Sequence, residues 1–266
     1  MIGIVIADVL RRLDRERRAS GEPSPRGAVV REHSPDGSEC RIVYSHCTAD
    51  ESEDVIRDEI SRAESGDYNL EWKVYGHDAP PNLGDRLLAA GFEPDALESL
   101  LVLPVNEEAL AVFDAPMCEI KRVHDAQGLN DVADIARETG RTNVEEEKHR
   151  LALVLRDTPD ELSVHVAYID GEPVACGRMH LKENSGFAEL AGGRTKTTHR
   201  NRGLFTALVA ARLREALARN RTHVFVDALP TSEPILRKKG FQFVTHTQPF
   251  FYDRRPELGA AAGHND

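Results

Sequence analysis

Cysteine is scarce in this 266-residue chain: Cys40, Cys47, Cys118 and Cys176 are the whole set, and no two form a CxxC pair. That excludes a zinc ribbon and a disulfide framework, and points to reduced thiols and a cytoplasmic protein with no metal. Long apolar runs are missing too, so no segment reads as a membrane span. The opening MIGIVIADVL is hydrophobic but has no basic segment before it and runs straight into RRLDRERR, the pattern of an amphipathic helix rather than a signal peptide. Positive charge is in short supply, with 34 Lys and Arg against 45 Asp and Glu and a net charge of −11, which argues against a general nucleic-acid binder. Neither G-x-x-x-x-G-K-[ST] nor a G-x-G-x-x-G after a strand is present, which weakens a nucleotide-binding reading. Aromatics make up 6% of the residues and Trp72 is the single tryptophan, expected in the core. With 40% hydrophobic residues, the chain can build one large domain or two modest ones.

What is present concentrates in residues 187–205, FAELAGGRTKTTHRNRGLF. A strand-like stretch leads into Arg200-Asn201-Arg202-Gly203, and the helix-forming run LFTALVAARLREALARN begins at once. A strand, a glycine turn and a helix in that order leave backbone N–H groups without intrahelical partners at the positive end of the helix dipole, a seat for a phosphate or pyrophosphate. Arg200 and Arg202 add charge. Three other R-x-x-G matches, at Arg18, Arg137 and Arg237, do not join a strand to a long helix.

A shift of 149 residues lays the two halves over one another. THVFVDAL (222–229) and PTSEPILRKKGF (230–241) read as a strand and a helix ending at Gly240-Phe241, and NLEWKVYGHD (69–78) and APPNLGDRLLAAGF (79–92) repeat them up to Gly91-Phe92. Asp78 and Asp227 precede their glycines by the same interval, so an internal duplication is expected. Glycine there permits the left-handed helix stop. The second half adds a strand at 117–123, two helices, a hairpin turning at Asp170-Gly171, and the strand 187–197, giving the order β-α-α-β-β-β-α-β-α-β. The first half has a helix over 4–18, a polar loop, a hairpin at Pro35-Asp36-Gly37 and a strand at 40–46, and residues 104–116 connect the halves. The tail from 254 to 266 is expected to be disordered. Expected is an α/β fold, a mixed central sheet flanked by helices and partially duplicated, with domains at 1–110 and 117–253.

This element order, with Arg200-Asn201-Arg202-Gly203-Leu204-Phe205 between the fourth strand and third helix, resembles the GCN5-related N-acetyltransferase (GNAT) superfamily, whose loop commonly reads Q/R-x-x-G-x-G/A. The resemblance covers residues 117–253, with a degenerate partial copy before it, as in tandem members. Phe205 departs from the small residue usual at its position. The resemblance implies an acyl-CoA N-acyltransferase-like fold and acetyl-CoA as co-substrate. It also implies that backbone groups at Thr195 and Thr197 pair with the pantetheine arm. Amides of Asn201, Arg202, Gly203, Leu204, Phe205 and Thr206 would hold the pyrophosphate, with Arg200 and Arg202 on phosphates. Gly192-Gly193 is either a bulge that opens the strand or plain flexibility.

Acyl transfer to an amine needs a base, because a free amine is mostly protonated at neutral pH. Glu189, eleven residues before Arg200, is where family members with a glutamate base often carry it; the alternative is a solvated strand carboxylate. His180 could assist or be an edge histidine. The position where many members have an acidic tyrosine is Leu236, with Ser232 and Tyr252 as substitutes, although a CoA thiol is acidic enough to leave as thiolate. Asp227 could touch acceptor or cap a loop. At the shifted position of the phosphate seat the first half has Glu51-Ser52-Glu53-Asp54, which would repel a pyrophosphate. The expectation is therefore an acetyltransferase acting on a small-molecule or amino-acid-like amine acceptor, active in its second half, with no nucleic-acid or membrane partner. The competing reading is a CoA-binding or interaction module without turnover.

Overall fold

A computed structural model describes residues 5–113 and 118–252. The chain divides into two compact units, Met1–Glu98 with Thr245–Asp266, and Ser99–Val244. The first contains α1 (Ile6–Ala19), β1 (Glu22–Pro23), β2 (Val29–His33), β3 (Glu39–Ser45), α2 (Ala49–Gly66), β4 (Asn69–Tyr75), α3 (Leu83–Ala89) and β5 (Glu93–Pro94). β1, β2 and β3 pair antiparallel in that order, β4 joins β3 in parallel, and residues 247–252 add antiparallel to β4. Its core gathers Ile42, Leu70, Leu83, Leu87 and Trp72 from both faces' elements, with Trp72 fully buried.

The second unit contains β6 (Glu98–Pro104), α4 (Glu107–Ala111), β7 (Glu119–Arg122), α5 (Ala126–Glu138), α6 (Val144–Asp157), β8 (Leu162–Ile169), β9 (Glu172–His180), β10 (Phe187–Thr195), a short 3-10 turn (Thr197–His199), α7 (Leu204–Ala218), β11 (His223–Ala228), α8 (Glu233–Lys238) and the start of β12 (Gln242–Tyr252). Its strands run β6-β11-β10-β9-β8-β7, parallel only between β10 and β11. The expected mixed sheet with helices on its faces is present. The β8–β9 hairpin turns where expected, with Asp170 at φ 51° and Gly171 at φ 82°, the two left-handed residues that match the strands' twist. α7 buries Val209, Ala210, Leu213 and Ala216 against Met179, Leu190 and Val224, while α5 and α6 cover Leu162, Val164, Val166 and Cys176 on the opposite face.

The duplication survives in atomic detail at the end of α3 and α8. Gly91 and Gly240 have φ of 93° and 96°. The N–H of Phe92 donates to the Leu87 carbonyl at 3.0 Å, and that of Phe241 to Leu236 at 3.2 Å. All four of these Leu and Phe residues are buried. Only a residue free to adopt positive φ closes the helix this way and returns the aromatic ring to the core.

The compact units do not follow a division of the chain near residues 110–117. β6, the last strand of the first half, pairs along its length with β11, and the end of the chain's last described strand pairs with β4. Each half thus completes the other's sheet. The run Leu100, Leu101, Val102 and Leu103 is buried and demands a central place, but backbone pairing carries no side-chain label to say beside which strand. The connecting segment holds α4, capped by Asn106, whose side chain accepts the Ala109 N–H. The expected tail at 254–266 lies outside the described residues. Among the described residues, no helix is long and apolar enough to cross a membrane.

Candidate active site

β10 and β11 pair in parallel at three positions only, Phe187 with His223, Ala188 with Val224 and Glu189 with Phe225. Both strands continue: β10 stays with β9 as far as Thr195, and β11 stays with β6 as far as Ala228. The sheet therefore opens immediately after Glu189. In β10, Ala188 and Leu190 belong to the core beneath α7, so alternation turns Glu189 to the other face. His180 on β9 stands directly opposite it, and the two share that face. Both side chains are half-buried and engaged rather than free in solvent.

Past Glu189, Gly192 and Gly193 form a bulge. Ala191 is in register with Arg178 and Arg194 with Cys176, so two residues face Gly177 alone. Gly192 has φ 59°, and a Cβ there would approach Arg178 Nη1 to 2.8 Å. The strand is bent out of the ladder at the mouth of the opening, which decides between the two readings of this pair in favour of a bulge.

The strand end is anchored by Lys196. Its buried ammonium reaches Glu138 of α5 at 2.8 Å and Glu172 of β9 at 3.0 Å. Burial pulls its pKa down, but the two carboxylates outweigh that and hold it above the ordinary lysine value. After the turn at 197–199, Asn201 (φ 62°) and Gly203 (φ 78°) are both left-handed, and α7 starts. Gly203 offers no capping side chain, whereas α2 and α5 are capped by Thr48 and Asp125. The first-turn N–H groups of α7 consequently point out of the helix without an intrahelical acceptor. Arg200 and Arg202 are exposed; Arg200 Nε lies 3.5 Å from the Thr195 carbonyl, and among the described residues neither arginine pairs with a carboxylate. This seat, cationic and uncapped, suits a phosphate-bearing ligand.

Phe205 follows Gly203 by two residues, in the first turn of α7. The ring is packed against the core of the unit and lies 3.5 Å from where a Cβ of Gly193 would stand. Arg212, which sequence reasoning passed over, holds these parts together. Its guanidinium is buried with no carboxylate paired to it among the described residues, occupies the place of a Gly177 side chain, and donates to the carbonyls of Leu208 (3.0 Å), Arg178 (3.0 Å) and Ala191 (3.5 Å). Burial pulls its pKa down to about 10. An arginine on the apolar face of α7, four residues after Leu208 and one before Leu213, was the signal.

The expected acids fare differently. Leu236 is buried in the core. Ser232 donates to the Leu229 carbonyl at 3.2 Å, and the Tyr252 hydroxyl belongs to the first unit, where it donates to Glu64 at 3.0 Å. Asp227 lies within β11, opposite Leu100, not in the loop after it. Among the described residues no group of three or more His, Cys, Asp or Glu is arranged to hold a metal ion.

The matching place in the first unit is closed. β3 and β4 also part, after Ile42 and Trp72, but Arg17 spans the opening: Nε donates to the Val43 carbonyl at 2.8 Å and Nη2 to both Asp78 oxygens at 2.9 and 3.0 Å. The guanidinium lies 3.5 Å over the Tyr75 ring, and His46 bridges to Ala79 beyond. No such bridge exists past Glu189 among the described residues. The start of α2 is self-capped, Thr48 accepting the Glu51 N–H and the Glu51 carboxylate accepting the Thr48 N–H, so its donors are used and its charge is negative.

Residues 129–241 match the model of the acetyltransferase (GNAT) family. No curated protein matches the sequence. Among solved structures, a GCN5-related N-acetyltransferase from Kribbella flavida superposes with a TM-score of 0.67 at 18% identity, covering 97% of this chain and 98% of that one. A tandem GNAT protein from the clavulanic acid biosynthesis pathway gives 0.60 at 12% identity, covering 82% and 76%. A functionally unknown conserved protein from Staphylococcus epidermidis gives 0.59 at 14%, covering 81% and 84%. At these identities the likeness is one of fold. Together with the matched segment, it places a domain matching the GNAT acetyltransferase family in the second half of the chain, on a fold shared with GNAT structures that include a tandem one.

Proposed function

We propose that the second unit transfers an acetyl group from acetyl-CoA to the amine of a small acceptor, and that the first unit binds no CoA. The observation that carries this reading is the parting of β10 and β11 directly after Glu189, with the bulge and the uncapped start of α7 on the same opening. The pantetheine arm lies along the free edge of β10, pairing with backbone at Thr195 and Thr197. The pyrophosphate sits on the amides from 201 to 206, with Arg200 and Arg202 neutralising it.

Glu189, at the base of the opening, takes the proton that the amine loses, directly or through one water. The amine nitrogen forms its bond to the thioester carbonyl carbon, and backbone N–H groups of the opened strand stabilise the oxyanion. The carbon–sulfur bond then breaks. With Leu236 buried and Ser232 and Tyr252 engaged elsewhere, none of these three protonates the sulfur, and it leaves as thiolate, for which its acidity suffices.

Glu189→Gln tests the assignment. Thiol release with an accepted amine is expected to fall on the order of a hundredfold while acetyl-CoA affinity holds; unchanged turnover contradicts the base role. Leu236 favours one competing reading, a module that binds CoA without turnover. Saturable acetyl-CoA binding with no amine acylated in a broad screen would select it.

A further inference from the structure

The face that carries Glu189 and His180 also carries a cluster of charge that the transfer chemistry leaves unused. Arg178 is in register with Ala191, two cross-strand pairs nearer the open end than His180 and Glu189, and Arg194 follows the bulge opposite Cys176. Cys176 belongs to the core under α5 and α6, which fixes the face. From α6, Glu147 reaches both arginines: Arg178 Nη1 donates to Oε1 at 2.5 Å, while Arg194 Nη2 and Nη1 approach Oε1 and Oε2 at 3.2 and 3.1 Å. Two guanidinium groups share a single carboxylate, so the cluster keeps one net positive charge. Burial pushes the Glu147 pKa up, and the arginines outweigh it and hold it below the ordinary carboxylate value. Arg178 is the more open member, with 27% of its side chain exposed, and among the described residues only its Nη1 is engaged. Gly192 leaves the room its guanidinium occupies.

Resting on the reading above, we propose that Arg178, backed by Arg194, binds a carboxylate of the acceptor, and that Glu147 holds that carboxylate's place until the acceptor arrives. The acceptor class is then an amino acid or similar small amine with an anionic group a few bonds from the amine. Glu189 and Arg178 are diagonal neighbours on the two strands, with Cβ atoms about 7 Å apart. A base for the amine at one and a planar fork for a carboxylate at the other suit a short molecule.

The test uses the full chain and matched pairs of L-amino acids and L-amino-acid amides as acceptors for acetyl-CoA, read by thiol release. The amide's amine is the less basic, so intrinsic reactivity favours the amide and a preference for the acid must come from binding. Expected is a KM for the acids on the order of tenfold or more below that of the amides. Arg178→Gln is expected to erase the difference by raising the acid KM alone, and Arg178→Lys to restore part of it. Glu147→Gln is expected to lower the acid KM, because the competing carboxylate is gone. If the cluster merely ties α6 to the sheet, Arg178→Gln and Glu147→Gln weaken both members of each pair alike, and the proposal is overturned. Calorimetry with N-acetyl amino acids and N-acetyl amino-acid amides is run alongside. If no amine of either kind releases thiol, the transfer reading falls, and the carboxylate site still stands if the N-acetyl acids bind more tightly and lose that margin in Arg178→Gln. Equal binding of acid and amide overturns it.

Discussion

At the scale of single residues, the candidate site is built from compensations. The Arg212 guanidinium fits because Gly177 has no side chain, and that of Arg178 because Gly192 has none. Leu236 takes its position for packing: it lies in the core and its carbonyl closes the end of α8. Leu236→Tyr is therefore expected to add no catalytic acid. It should cost about 1–3 kcal/mol of stability by overpacking and leave kcat no higher; a clear rise in kcat without loss of stability would mean that the position opens onto the leaving sulfur. The strand-to-helix turn at Gly203 was legible in the sequence, since the glycine and the arginines before it mark it by their order alone. Arg178, Arg194 and Glu147 were not, because their meeting depends on a cross-strand register and on the rotation of α6, neither of which spacing along the chain encodes.

At the scale of elements, α7 both starts at the proposed phosphate seat and shields a buried polar group. Glu215 of α7 accepts from Ser163 of β8, lies 3.4 Å from His165 Nε2, and pairs with Arg219 and Arg122. Burial pulls the His165 pKa down to about 4, with the nearby Arg212, Arg122 and His124 charges in the same direction and Glu215 opposing. A histidine depressed in the folded state stabilises the fold fully above its unfolded pKa of about 6.5, and this stability is lost as pH falls toward 4. Glu215, also held below its ordinary value, acts in the same direction at the acid end. Chemical denaturation is expected to show stability falling by about 1–3 kcal/mol between pH 7 and pH 4.5, with a flatter profile in His165→Gln. Equal slopes in both proteins would contradict the assignment. The elements themselves follow from local chemistry: Asp125 caps α5 by accepting the Gly128 N–H, and Asp170-Gly171 turns the hairpin. For that reason the order of strands and helices in the second half could be read in advance.

At the scale of the molecule, the two halves of the chain exchange their final strands, so a boundary drawn between the halves cuts through both compact units. A fragment of residues 117–253 keeps β11 but lacks β6, and leaves the β11 edge and its apolar neighbours unpaired. A fragment of residues 99–244 keeps that pairing. Thermal unfolding is expected to be cooperative only for the second fragment; cooperative unfolding of the first would show that β6 is dispensable. The Gly-Phe endings revealed the duplication from sequence, but the strand exchange stayed hidden because β-pairing is made by backbone groups common to every residue. In the first unit, the duplicated opening is spanned by Arg17 and the helix start is acidic and self-capped, which predicts one CoA site per chain.

Calorimetric titration of acetyl-CoA into the full chain and into an Arg202→Glu, Gly203→Asp double variant tests that claim most directly. The account predicts binding with about one site per chain in the wild type and its loss in the variant, since two carboxylates then face the seat and Gly203 can no longer adopt its left-handed turn without strain. Two sites per chain, or binding that survives the double substitution, would contradict it.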